Sequence, residues 1–372
     1  MNSMRATKAI IRLDNLRHNI GLIKSQVGER VAICMAVKAN AYGHGAVKVS
    51  QTALKQGVKA LGVATVSEGE ELRQAGVSAP IFLFNLPSAQ ETDALVKARL
   101  IPFCADEKLI KHCALAAEKQ NVILEVHLKI DTGMGRIGCA PEAAPGLAKL
   151  IGSYSRLKLG GICTHFPSSD SSDPSFTQFQ VKLLQQVIKK FKEEKINPGI
   201  IHAANSGAII DKPESFFDMV RAGIILYGYY PSHEQKRTLP VKPVMELKTE
   251  ISFIKKVAKD TSISYGRTYF TKDETYIATL PLGYGDGYSR LLSNRAKVWI
   301  QGKHFPLVGR VCMDQVMVDL GAKLQFDIGQ EVTLFGAQDG GPNAEDIADL
   351  MGTIAYEVTC LITKRVPRIY IE

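Results

Sequence analysis

The chain has 372 residues, 45% of them hydrophobic and 22% charged, and a net charge of +9. That composition is ordinary for a globular chain long enough for two domains. The seven scattered cysteines (Cys34, Cys104, Cys113, Cys139, Cys163, Cys312, Cys360) argue against a disulfide scaffold or a paired-cysteine zinc site, so no metal is expected and a reducing compartment is. No basic block interleaves with aromatics, no apolar run reaches about 18 residues, and Asp14 and Asn15 arrive before any long apolar core, so no signal peptide is expected. Nucleic acid and membrane are therefore not expected partners, and the cytoplasm is the expected location. The positive charge is compatible with anionic small ligands but does not establish them, and a weak excess of surface lysine is the preferred explanation.

Residues 6–13 alternate as a strand, and Asp14 stands where it can cap a helix over 15–27, in which Leu16, Ile20 and Ile23 have helical spacing. An apolar run from Val31 then ends at Lys38. Helices at 45–57, 67–75, 89–97, 107–119, 141–150 and 177–195 alternate with strands at 60–65, 81–85, 101–105, 122–130, 159–164 and 200–204, and a last strand lies within 219–227. The strands are short, apolar and poorly alternating, as parallel strands covered on both faces should be. Eight such units close naturally into a (β/α)8 TIM barrel, an α/β fold. A doubly wound open sheet is the competing arrangement, although no GxGxxG follows the first strand.

After Pro231 the texture changes, and Pro240 and Pro243 frame a boundary. Strand-like runs follow at 245–257, 276–281, 297–300, 305–311, 315–320 and 331–335. A helix at 344–351 interrupts them, and the runs 358–363 and 368–371 finish a second, mainly β domain.

Catalytic groups of a barrel sit at the C-terminal ends of its strands. Those positions hold Lys38, Lys129 with Asp131, His165, His202 to Ser206, and Arg221 to Tyr227. A lysine at a core edge is partly desolvated, which lowers its pKa and frees its lone pair for attack on a carbonyl. A lysine that merely snorkels to solvent, a packing histidine at 202, and a salt bridge from Arg221 to Asp218 are the structural alternatives.

The stretch VAICMAVKANAYGHG at 31–45 resembles the lysine motif of bacterial alanine racemases, which use pyridoxal 5'-phosphate. The similarity runs from near Ala6 to near Ile371 and includes KIDTGMGR at 129–136, NSG at 205–207, SYGR at 264–267, LPLGYGDG at 280–287 and GRVCMDQ at 309–315. The resemblance implies the barrel, with domains at 14–240 and at 1–13 joined to 241–372. It implies a Schiff-base role for Lys38 and phosphate contacts for Tyr42 and Ser206, with Asn205, Gly223, Ile224 and Tyr227 in the matching cofactor segments. His165 matches a cofactor-pocket histidine. Arg136 matches an arginine near the substrate carboxylate, and Lys129 a lysine that positions it and is carbamylated in some members.

Arg221 matches an arginine that faces the cofactor's pyridine nitrogen, where most enzymes of this class place a carboxylate. His202 matches its support. Racemisation needs proton transfer on both faces of the α-carbon. The resemblance assigns these to Lys38 and to Tyr265 of the other subunit of a homodimer. A free phenol is a poor base near neutral pH, so the surroundings of Tyr265 must favour the phenolate; a nearby positive charge would do that, and the spacing of the sequence does not identify it. Met313, Asp314 and Tyr356 match residues that face or close the pocket, whose narrowness favours alanine; one methylene is worth about 1–3 kcal/mol there. The implied product, D-alanine, feeds peptidoglycan synthesis. Pro167 and Ser168 are a mild departure, standing where many members of the family carry small apolar residues or threonine. A decarboxylase on the same scaffold is disfavoured by Arg221 and Tyr265, and a cofactor carrier by the complete β domain.

Overall fold

The computed structural model describes residues 5–336 and 340–372. Its first strand is β1 (Lys8–Arg12). The apolar runs that follow form β2 (Ala32–Ala36), β3 (Ala60–Val63), β4 (Ile81–Leu83), β5 (Ile101–Cys104), β6 (Leu124–Lys129), β7 (Leu157–Cys163), β8 (Ile200–His202) and β9 (Met219–Ala222). These eight close into a barrel, because β9 pairs in parallel with β2 and sets Arg221 beside Cys34. That closure excludes the doubly wound sheet. Helices cover the outside with apolar stripes; Ser175–Glu193 buries Val181, Leu184, Val187 and Phe191 at helical spacing. Cys34, Ala60, Phe82, Phe103, Cys163 and Met219 pack together as a separate buried cluster.

The second domain contains β10 (Met245–Glu250), β11 (Phe253–Val257), β12 (Ser262–Ile263), β13 (Tyr269–Phe270), β14 (Thr275–Leu280), β15 (Lys297–Ile300), β16 (Lys303–Pro306), β17 (Val316–Gly321), β18 (Glu331–Phe335) and β19 (Arg368–Ile371). The main sheet has the order β16-β15-β18-β10-β1-β19, and β11-β14-β17 form a second sheet. The chain's first strand thus lies between β10, antiparallel, and β19, parallel.

Several sequence expectations change in detail. The run 358–363 lies mostly in a helix, Ala355–Leu361, whose buried Ala355, Val358 and Thr359 recur at three and four residues. Its β-branched composition had suggested a strand, but the burial period is helical. The helix after β1 begins at Leu13, so Asp14 sits in its first turn and pairs with Arg12 at 3.2 Å instead of capping it. The strand within 219–227 stops at Ala222, and Ile224–Tyr227 form a buried 3-10 turn. The run 245–257 divides between two sheets. The hairpin β12-β13 has strands too short to carry a sequence pattern. No helix among the described residues is long and apolar enough to cross a membrane.

Candidate active site

β2 delivers Lys38 to the mouth of the barrel, and the backbone then turns left-handed. Ala39, Asn40, Ala41 and Tyr42 have φ of 51°, 54°, 54° and 50°. Each costs about 1–2 kcal/mol for an L-residue, so the surroundings must impose the turn. Glu68 accepts the Ala39 amide at 2.6 Å, and Asn40 Oδ1 accepts the Ala46 amide at 2.8 Å. Arg368 of β19 donates to the Gly43 carbonyl at 2.9 Å. Gly43 continues the positive φ at 83°, and a Cβ there would lie 2.1 Å from the Thr359 carbonyl oxygen. Only glycine fits. The turn brings Lys38 and Tyr42 to one side, and both line the same cavity.

Arg221 projects from β9 into the barrel and is nearly fully buried. Its guanidinium donates to His202 Nδ1 at 2.8 Å, to the carbonyls of His202 at 3.0 Å, Thr164 at 2.6 Å and Ala203 at 2.9 Å, and to His165 Nδ1 at 3.2 Å. Asp218 makes no salt bridge to it; its carboxylate accepts the Ile201 amide at 2.8 Å. Burial, followed by the charge of Arg221, pushes both His165 and His202 well below the usual imidazole range. Both rings are therefore neutral acceptors toward Arg221.

The cavity at this end of the barrel holds about 370 Å³ and is lined by Lys38, Tyr42, Lys129, Arg136, His165, Asn205, Ser206, Arg221, Gly223 and Tyr356 among others. Four cationic side chains face one space, against Asp170 alone. Burial, then the charge of Arg136, lowers the Lys38 amine below its ordinary value. Lys129 falls to about 8, chiefly through burial. Asp131 holds the following loop by accepting the amides of Gly133 at 2.9 Å and Met134 at 2.8 Å.

Beside these charges lies a cradle of hydroxyls. Ser206 Oγ accepts the Gly223 amide at 3.0 Å and the Ile225 amide at 3.5 Å, which leaves its own proton for another oxygen. A Cβ at Gly223 would lie 3.0 Å from the Tyr42 hydroxyl and 3.5 Å from Ser206 Oγ. Two hydroxyls and bare backbone thus converge on one point, with Asn205 capping the helix Ser206–Asp211 through the Ala208 amide. Such a donor set fits a phosphate group.

Of the remaining expected residues, Tyr227 and Ile224 are fully buried outside the cavity lining. Tyr227 donates to the Ala36 carbonyl at 2.8 Å and packs behind Tyr42 with its ring tilted by 57°, centroids 4.9 Å apart. Tyr265, Met313 and Asp314 do not line their own chain's cavity. Tyr265 is 72% exposed and Met313 52% exposed, and Asp314 pairs with Arg365 at 2.7 Å. Tyr265 occupies the tip between β12 and β13, and a Cβ at its neighbour Gly266 would lie 3.3 Å from the Arg310 guanidinium carbon. Arg310 is thus a cation close to that tip.

The sequence reading missed Glu68, Asn85, Phe103 and Asp170. Glu68 carried a capping-box signal with Thr65, which marked a helix start and hid its second bond. Asn85 and Phe103 lie at or near strand ends, and that position is the one signal that could have found them.

Comparison with known proteins agrees with this geometry. The family described as alanine racemase, N-terminal domain, matches residues 11–231, and alanine racemase, C-terminal domain, matches 244–370. A Treponema denticola protein named alanine racemase is 49% identical over 376 residues, covering 99% of each chain. A solved alanine racemase from Clostridium difficile 630 superposes with a TM-score of 0.95 at 39% identity, covering 100% of this chain and 97% of that one. An alanine racemase from Bartonella henselae, described with covalently bound pyridoxal phosphate, has a TM-score of 0.88 at 25% identity, covering 98% of this chain and 99% of that one. With both halves of the chain matched by the family and nearly its whole length by relatives of this identity, this chain belongs to the alanine racemase family.

Proposed function

We propose that this chain interconverts L-alanine and D-alanine with pyridoxal 5'-phosphate held in the barrel cavity. The observation that carries the reading is Arg221, a buried guanidinium fixed by His202 and backbone carbonyls where a carboxylate would otherwise be expected. The cofactor fits the residues present: Ser206, Tyr42 and the Gly223 backbone would hold its phosphate, Lys38 its aldehyde carbon, and Arg221 its ring nitrogen. When bound, it supplies an electron sink that acidifies the α-hydrogen of an attached amino acid.

The protein residues do the rest. Arg221, a donor that keeps its own protons, would leave the ring nitrogen of a bound cofactor without one, which would restrain the sink and disfavour side reactions. Arg136 suits the substrate carboxylate through its forked donors. The lowered amine of Lys38 holds and releases a proton on one face. Tyr265 serves the other face from a second copy of the chain, a role supported by its exposure and by its distance from its own cavity lining. The working unit is then a homodimer with shared sites, built from a barrel at 14–240 and a β domain of 1–13 with 241–372. Seven unpaired cysteines suit the cytoplasm, where the product would supply peptidoglycan synthesis.

The test is racemisation in heavy water. Holoenzyme given L- or D-alanine should convert either to the mixture and gain α-deuterium in step. Exchange with retained configuration would remove Tyr265 from the mechanism, and carbon dioxide release from a basic amino acid would make the chain a decarboxylase.

A further inference from the structure

The hydrogen bonding below the cavity does not stop at His202. Its Nε2 lies 2.8 Å from Nδ1 of His127; Nε2 of His127 is buried without a hydrogen bond, and the Oε1 of Glu125 stands 3.6 Å from it, within ion-pair reach but beyond hydrogen-bond distance. Glu125, His127 and Lys129 alternate onto one face of β6, so the series runs from the start of that strand to the cavity at its end. Both histidines are fully buried. The Phe82 ring packs against them, with centroids 4.8 Å from His127 and 5.6 Å from His202. Glu125 also accepts from Lys158 at 3.0 Å. The facing strand β7 makes space for the series: a Cβ at Gly161 would lie 2.4 Å from His127 Nδ1, and one at Gly160 2.3 Å from Glu125 Cγ.

One proton assignment satisfies this series. A guanidinium only donates, so His202 Nδ1 must accept from Arg221. The ring is neutral, so its single proton is on Nε2 and is donated to His127 Nδ1. The His127 ring is neutral too, since burial lowers it below the usual range. Its single proton therefore faces Glu125. In a low-dielectric interior such a chain is sensitive to the charge at its end.

We propose that Glu125 is a positioning residue for the reaction: its carboxylate fixes the tautomers of His127 and His202, so that His202 presents a lone pair to Arg221. Without that negative charge beside Nε2, the His127 proton is free to occupy Nδ1. His202 must then move its own proton to Nδ1, where it meets an Arg221 N–H donor head-on. The grip on Arg221 loosens although no residue of the cavity has changed. The effect on turnover rests on the function proposed above, whereas the tautomers do not.

The test uses the full chain labelled with 15N-histidine, comparing wild type, Glu125→Gln and Glu125→Leu, with Lys158→Ala as a control that leaves Glu125 in place. Wild-type spectra should show both rings protonated on Nε2. Glu125→Leu should add the Nδ1–H form of both rings and lower kcat about 2- to 30-fold, with KM changing by less than about twofold. Glu125→Gln, of the same shape, should fall between and carries the test if the leucine variant does not fold. Lys158→Ala should match wild type. Wild-type rings protonated on Nδ1 would overturn the proposal. So would unchanged tautomers in both Glu125 variants, or shifted tautomers with unchanged kcat. The ring spectra are read without substrate, so a chain that failed to racemise alanine would refute the proposed function and leave this test intact.

Discussion

The carboxylate of Glu68 accepts the Ala39 amide at 2.6 Å, one residue beyond Lys38, and the Ala64 amide at 2.7 Å through its other oxygen. One side chain thereby ties together the ends of β2 and β3 and holds a turn that is left-handed through four non-glycine residues. Glu68→Gln would set an amide NH2 against one of those N–H donors. We expect it to cost about 1–3 kcal/mol of stability and to lower kcat more than it raises KM, because Lys38 loses its fixed approach. Thermal unfolding with steady-state kinetics checks this; wild-type kcat would mean that the turn holds itself.

Lys38 should be the covalent anchor. Borohydride reduction of the protein with pyridoxal phosphate should place the cofactor's mass on the peptide carrying Lys38. Lys38→Ala should lose that adduct and slow racemisation by more than about a thousandfold. An adduct on Lys129 instead would reassign the anchor.

Shared sites make a mixing prediction. Lys38→Ala and Tyr265→Phe should each be nearly inactive alone. After subunit exchange, a mixed dimer pairs the intact Lys38 of one chain with the intact Tyr265 of the other at one of its two sites. Equal mixing should then restore about a quarter of wild-type activity. No recovery, with mixed dimers verified by mass, would show that each chain serves its own site.

Lys129 supplies a pH dependence. Burial, together with the charges of Arg221 and Arg136, brings its folded value to about 8, against an ordinary 10.5. Between those values the unfolded chain binds more protons than the folded one, so stability rises with pH across that window. Below it both states are charged and the penalty is complete. Lys129→Met should be more stable than wild type by up to about 3 kcal/mol near neutral pH, and the advantage should vanish toward about pH 10. Urea unfolding in carbon-dioxide-free buffer measures this. A difference that does not change with pH would mean the amine titrates normally.

Much of this protein was legible without coordinates. Parallel strands covered on both faces must be apolar along their whole length, so the eight barrel runs stood out. A barrel places chemistry at strand ends, so Lys38, Lys129, His165 and Arg221 could be picked by position, and all four line the cavity. The helix Ala355–Leu361 escaped because its β-branched residues carry a local preference that packing overrides.

What only the tertiary structure decided depends on neighbours distant in sequence. Of Ala-Asn-Ala-Tyr only Asn40 has any local tolerance for left-handed backbone; Glu68, Arg368 and Thr359 impose it on the whole run from three other segments. The bonds from Arg221 through His202 to His127, and the approach of Glu125 to that ring, exist because β6, β7 and β8 lie side by side and two glycines of β7 clear the space. Patterning along the chain records which faces are buried, because burial acts on each residue separately. Hydrogen-bond direction and backbone strain belong to groups of residues, and they are set only when the chain has closed around them.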